Sequence, residues 1–167
     1  MRLFVGLSHS DYQDALRAIG RYLDARDTAE LRLLEREDGV LLQARLHDTP
    51  AAGFQAWEFP DEAVLALLHA AYELRGYGSQ RGRGHLGLPY QELLRAVGRV
   101  MDRERRCDLR LLTEPHGVLI QVRSVEHRWR GFLTYRLAEE ALRALLADAA
   151  IPPGQSAFGQ PLRSLRS

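Results

Sequence analysis

Between Tyr12 and Asp27 the apolar residues Tyr12, Leu16, Ile19 and Leu23 recur at helical spacing, with Arg17, Arg21 and Asp24 on the other side. The stretch therefore predicts an amphipathic helix facing inward on its apolar stripe, with Ser10 placed to cap it. Gly20 lies on that apolar side. A glycine in a helix interior costs about 1 kcal/mol against alanine, so it predicts close packing of this turn on another element. Downstream the period shortens to two. Leu31 to Arg36 alternates, Asp38-Gly39 is a tight-turn signal, and VLLQARL places Val40, Leu42 and Ala44 on one face and Leu41, Gln43 and Arg45 on the other. GFQAWEF, beginning at Gly53, predicts a third strand. Asp61 and Glu62 then give an acidic first turn to a second helix, over Ala63 to Leu74.

The same pattern returns roughly 78 positions later. LRLLEREDGVLLQAR from Leu31 to Arg45 is answered by LRLLTEPHGVLIQVR from Leu109 to Arg123, and GFQAWEF by GFLTYRL. The register holds without a gap from Tyr12/Tyr90 to Ala71/Ala149, and about 25 of roughly 61 aligned positions are identical. Gly98 repeats Gly20. Pro115-His116-Gly117 forms the second copy's turn, and Glu139-Glu140 opens its last helix over Ala141 to Ala149. The fold class expected is thus α+β, a tandem duplication of a helix–three antiparallel strands–helix unit closed as a pseudo-two-fold internal dimer. One three-stranded sheet leaves an edge and a face uncovered, and the second copy is expected to supply the cover, edge to edge or face to face.

The domain layout follows from the repeat. Residues 1–74 form the first unit, with LFVGL (Leu3 to Leu7) as a short extra strand. Residues 75–89, RGYGSQRGRGHLGLP, form an arginine- and glycine-rich linker. Residues 90–150 form the second unit, and the breaker-rich segment 151–167 is expected to be a loosely held tail.

Composition narrows the chemistry. All 23 basic residues are arginine, because the chain has no lysine; it has no asparagine either. That bias reads as GC-rich coding and is not by itself a nucleic-acid signature. It still excludes a P-loop lysine, a Schiff-base lysine and the strand lysine of a kinase. Apolar stretches are all interrupted by charges, so no membrane span is expected, and MRLFVGL is too short for a secretory signal. A single cysteine, Cys107, excludes an internal disulfide and fits a cytoplasmic location. The net charge of +1 hides an imbalance: the first 74 residues come to about −6 and the rest to about +7. That asymmetry suits an anionic partner on the second half, or head-to-tail self-association.

Catalytic patterns are weak. The six histidines are scattered, with no HExxH, no zinc-spaced Cys/His pairs and no G-x-S-x-G elbow. Two arginines before Cys107 would lower its pKa, but the first copy has Ala29 there, so a small packing residue is the better reading. No catalytic residue, metal ligand or cofactor is assigned, and the chain is expected not to be an enzyme.

The remaining candidates are arginines and aromatics. Arg75, Tyr77, Arg81 and Arg83 are spaced by glycines, as in segments that stack on single-stranded nucleic acid. Arg95, Arg99, Arg103 and Arg106 run along and beyond the second unit's first helix, where a helix C-terminus also favours cations. Arg128, Trp129 and Arg130 sit in a loop whose first-copy counterpart has neither tryptophan nor arginine. Together these eleven residues point to a non-enzymatic nucleic-acid-binding protein, with single-stranded DNA or RNA as the expected ligand. Arg17/Arg95, Arg21/Arg99, Arg32/Arg110, Gln43/Gln121 and Arg45/Arg123 occupy matched places in the two copies, which follows either from shared descent or from a two-fold binding face. The alternative is a protein-interaction module or small chaperone. In its order of helix, three strands and helix the unit resembles a subunit of the type III secretion chaperones, and that resemblance implies dimers holding extended partner segments.

Overall fold

A computed structural model describes residues 12–73 and 82–163. Within them the protein is α+β, with four helices and one six-stranded antiparallel sheet. The elements run α1 (Tyr12–Ala25), β1 (Thr28–Arg36), β2 (Gly39–Leu46), β3 (Gln55–Pro60), α2 (Asp61–Glu73), α3 (Tyr90–Glu104), β4 (Arg106–Glu114), β5 (Gly117–Ser124), β6 (Leu133–Ala138) and α4 (Glu139–Leu146). The strand order is β3-β2-β1-β4-β5-β6, so the two three-stranded sets join edge to edge through β1 and β4. The segment LFVGL, Ser10, Leu74 at the expected end of the second helix, and residues 75–81 of the linker, with Arg75, Tyr77 and Arg81, lie outside the described residues.

The joint between the sets is short. Arg32 pairs with Leu112, Leu33 with Leu111 and Leu34 with Arg110. At its two ends side chains take over from the backbone: the Leu109 N–H donates to Glu35 Oε2 at 2.9 Å, and the Leu31 N–H donates to Thr113 Oγ1 at 2.8 Å. One face of the sheet, carrying Leu31, Leu33, Leu109, Leu111, Val118 and Ile120, is closed by α1 and α3 in a single core. The opposite face carries Arg32, Leu34, Arg110 and Leu112 and has no helix across it among the described residues.

The two long helices lock reciprocally. A Cβ on Gly20 would collide with the Tyr90 carbonyl and approach Gln91 Cα to 2.7 Å, and a Cβ on Gly98 would do the same at Tyr12 and Gln13. The close packing expected of those glycines is therefore present, helix against helix. Asp24 differs from its expected outward position: it is only 1% exposed. Its Oδ1 accepts the Tyr90 N–H at 2.8 Å and its Oδ2 the Gln91 N–H at 3.0 Å. Asp102 accepts the N–H groups of Tyr12 and Gln13, each at 3.1 Å. Asp24 stands one turn after Gly20 and, like it, meets the start of α3, whose first N–H groups have no partner within the helix, so its polar character marks a cap and not an outward face.

The tail also departs from expectation. Within its described part, Phe158 is buried against Tyr135, with ring centroids 5.4 Å apart. The Ala157 N–H donates to Glu104 and the Leu162 N–H to the Thr134 carbonyl at 2.7 Å, on the outer edge of β6. The wedge has a physical reason. α2 runs 13 residues and packs Leu68 and Ala71 on Ala18 of α1, whereas α4 stops after 8, and Phe158 enters the core of that second unit. No helix among the described residues is long and apolar enough to cross a membrane.

Candidate functional site

The open face of the sheet gathers residues that packing does not explain. Because side chains alternate along a strand, positions 32 and 34 of β1 and 110 and 112 of β4 point away from the buried pair Leu33 and Leu111. The neighbouring strands extend the pattern. Leu41 lies opposite Leu34, Gln43 opposite Arg32, Gln121 opposite Arg110 and Leu119 opposite Leu112. The four leucines are buried to half-buried, and Arg32 and Arg110 are exposed.

Two aromatic rings complete the surface. Phe54, just before β3, has Arg32 at 4.3 Å and Arg45 at 4.9 Å from its centroid; Phe132, just before β6, has Arg110 at 4.0 Å and Arg123 at 4.2 Å. Stacking is worth about 0.5–1 kcal/mol per contact at exposed sites. A guanidinium over a ring still carries its in-plane N–H donors, which the ring does not use up.

The charges on the face are unequally matched. Arg45 pairs with Glu30 at 3.2 Å, Arg36 with Glu58 at 3.1 Å and Arg136 with Glu114 at 3.1 Å. Arg123 and Arg128 share Asp108, at 3.9 and 2.9 Å. Among the described residues Arg32 and Arg110 meet no carboxylate. Two stacked, unneutralised guanidiniums thus flank the β1–β4 joint diagonally, with leucines on the other diagonal.

The sequence-derived candidates scatter. Arg83 binds Asp27 through its backbone N–H at 2.9 Å and its guanidinium at 3.1 Å, and these bonds hold the Asp27 carboxyl below its ordinary range. Arg95 pairs with Glu92 at 3.1 Å, while Arg99 and Arg103 both turn to Asp148. Arg106 is half-buried, with its Nε unpartnered. Arg128, Trp129 and Arg130 form a 3₁₀ turn between β5 and β6. The hydrogen bond to Asp108 raises the Arg128 pKa. Trp129 is 77% exposed, with the Arg130 guanidinium 5.0 Å from its ring centroid. No hydrogen bond, ion pair or ring contact among the described residues joins the α3 arginines to those of the 3₁₀ turn. Phe54, Phe132, Leu34, Leu112 and Leu119 were not singled out in the sequence, although each has the same residue 78 positions away and strand parity turns the leucines away from the core.

A second cluster lies at one end of the β1–β4 joint, under α1. Tyr12 Oη donates to Glu35 at 3.1 Å, and Cys107, Asp108 and Arg128 stand nearby. Burial pushes the Glu35 carboxyl up to about 8, reinforced by the Asp108 charge, although the bonds from Leu109 and Tyr12 pull the other way. Burial also pushes the Cys107 thiol up to about 12, so the two preceding arginines do not activate it. The matched place to Glu35 in the other half is Thr113, and no group of three His, Cys, Asp or Glu suited to a metal occurs among the described residues. Comparison with protein-family models, curated proteins and solved structures finds no match to this chain.

Proposed function

We propose that the chain is an internally duplicated, non-enzymatic protein-binding module, its halves related as a pseudo-two-fold dimer, whose open sheet face receives a polypeptide carrying apolar and acidic side chains. One observation carries the reading. Although more than half of the matched positions differ between the halves, Arg32/Arg110, Leu34/Leu112, Leu41/Leu119, Gln43/Gln121, Arg45/Arg123 and Phe54/Phe132 are all identical and all border one face that no helix among the described residues covers. A shared core requirement does not account for exposed Arg32 and Arg110, whereas a shared ligand requirement does. Half-buried leucines ringed by arginines match the makeup of protein interfaces, which have an apolar centre and are enriched in arginine and aromatics. The resemblance in element order to secretion chaperones points the same way.

Single-stranded nucleic acid is the second reading, favoured specifically by exposed Trp129 with Arg130 over its ring. Fluorescence anisotropy separates the two. A fluorescein-labelled peptide Leu-Ala-Leu-Ala-Glu, which presents two leucines and a carboxylate on one side when extended, is expected to bind the full chain and to be lost on Arg32→Ala/Arg110→Ala. Stronger, steeply salt-dependent binding of a labelled oligothymidylate, abolished by Trp129→Ala, would replace this reading with the nucleic-acid one.

A further inference from the structure

We infer that the open face is two composite half-sites, each receiving one segment that is apolar at one end and acidic at the other; this rests on the polypeptide-binding reading above. The register shows the division. Across β2, β1, β4 and β5, one row of outward side chains runs Leu41, Leu34, Arg110, Gln121. The adjacent row, taken from β5 back to β2, runs Leu119, Leu112, Arg32, Gln43. The two rows have the same composition and opposite direction. Each ends near a stacked ring, Phe132 by Arg110 and Phe54 by Arg32.

Each row takes its two leucines from one half of the chain and its arginine, glutamine and phenylalanine from the other. Neither half alone holds a complete row, which gives the fusion of the halves a functional consequence. Strands about 4.8 Å apart place Leu41 and Arg110 roughly 10 Å apart at the backbone. An extended segment presents same-side residues about 6.8 Å apart, so an apolar side chain, a second two residues on, and a carboxylate two further on reach both leucines and the outstretched guanidinium. Opposite row directions make the two bound segments antiparallel. The rims differ, with Glu58 beside Leu41 and Arg136 beside Leu119, but both are already matched, to Arg36 and Glu114.

The side-chain amides of Gln43 and Gln121 report the rows separately in ¹⁵N NMR spectra of the full chain titrated with acetyl-Leu-Ala-Leu-Ala-Glu-amide. Both are expected to shift, with dissociation constants within about threefold of each other. Arg110→Ala should silence Gln121 and spare Gln43, and Arg32→Ala the reverse; Arg110→Gln and Arg32→Gln serve where alanine disturbs the fold. If either substitution silences both amides, or only one amide moves in the unmodified chain, the face is a single site and the two-row division is wrong while the binding reading stands. If neither amide moves, the polypeptide reading falls and this inference with it.

Discussion

Asp24 Oδ1 lies 2.8 Å from the backbone nitrogen of Tyr90, so the last turn of α1 supplies the cap for the first turn of α3. Asp102 returns the contact at Tyr12, at 3.1 Å. Each helix is completed by a residue more than sixty positions away, which couples formation of one half to that of the other. Loss of a capping carboxylate costs about 0.5–2 kcal/mol, and a buried N–H left without an acceptor costs about 1–3 kcal/mol. Asp24→Ala, at the more enclosed site, is expected to lower stability by about 2 kcal/mol and Asp102→Ala by about 1 kcal/mol. Urea midpoints measured at constant slope check both values; equal, negligible effects would show that the reciprocal caps do not hold the halves together.

Gly20→Ala sets helix propensity against packing. Propensity favours alanine by about 1 kcal/mol, but the added methyl would meet the Tyr90 carbonyl and the Gln91 backbone, neither of which is a flexible side-chain end. Separating two helices at their closest point costs more than that gain. Gly20→Ala and Gly98→Ala are each expected to destabilise by roughly 3 kcal/mol or more, read as a fall in melting temperature.

Much of this architecture is legible from periodicity. Helical spacing marks α1, Asp38-Gly39 marks the first hairpin, and the position of Gly20 on an apolar stripe foretells a tight crossing. β1 begins at Thr28, earlier than alternation from Leu31 suggests, because the ladder is irregular between Thr28 and Glu30 and the strict period breaks there. The buried position of Asp24 was not legible, since an aspartate on a polar face looks the same whether it meets water or the N-terminus of a distant helix. The scatter of the arginine candidates has a related reason. Isolated arginines such as Arg95 and Arg99 attract notice in a sequence, yet their neighbours in space are Glu92 and Asp148. Leu41, by contrast, is placed by alternation beside Gln43 and Arg45, but that it and Leu34 line an open face is visible only once the sheet shows which side the helices cover.

Glu35 makes stability depend on pH. Burial raises its carboxyl from the ordinary 4.5 to about 8. The folded chain therefore holds a proton that the unfolded chain releases, and the corresponding stability is fully present below about 4.5 and lost as pH rises through about 8. Tyr12 on α1, Asp108 and Cys107 on β4 and Arg128 beyond β5 face the same carboxyl. Glu35→Gln keeps an acceptor for Leu109 and removes the titration. Its melting temperature is expected to decline less than that of the unmodified chain between pH 5 and pH 9; parallel curves would place the dependence elsewhere.

Cys107 should be inert while the chain is folded. Its side chain is fully buried and its thiol is pushed up to about 12, so at pH 8 the thiolate is about 10⁻⁴ of the population, against roughly a quarter for a free cysteine. Reaction with Ellman's reagent is expected to run at least about 100-fold slower in buffer than in guanidinium. A rapid native reaction would mean that the β4 end near Asp108 opens readily.

Trp129 separates recognition from stability. With 77% of its surface exposed and His127 and Arg130 as its ring neighbours among the described residues, it buries little apolar area, and surface substitutions of this kind usually fall within about 0.5 kcal/mol. Trp129→Ala should leave the melting temperature unchanged. If the open face is the binding surface, peptide affinity should also survive, because Trp129 belongs to neither row of leucine, arginine and glutamine. If single strands are the ligand, stacking on the indole contributes about 1–3 kcal/mol, and oligothymidylate affinity should fall by a factor of roughly 5 to 150. Anisotropy titrations of both probes against this one variant therefore assign the binding energy either to the sheet or to the turn that follows β5.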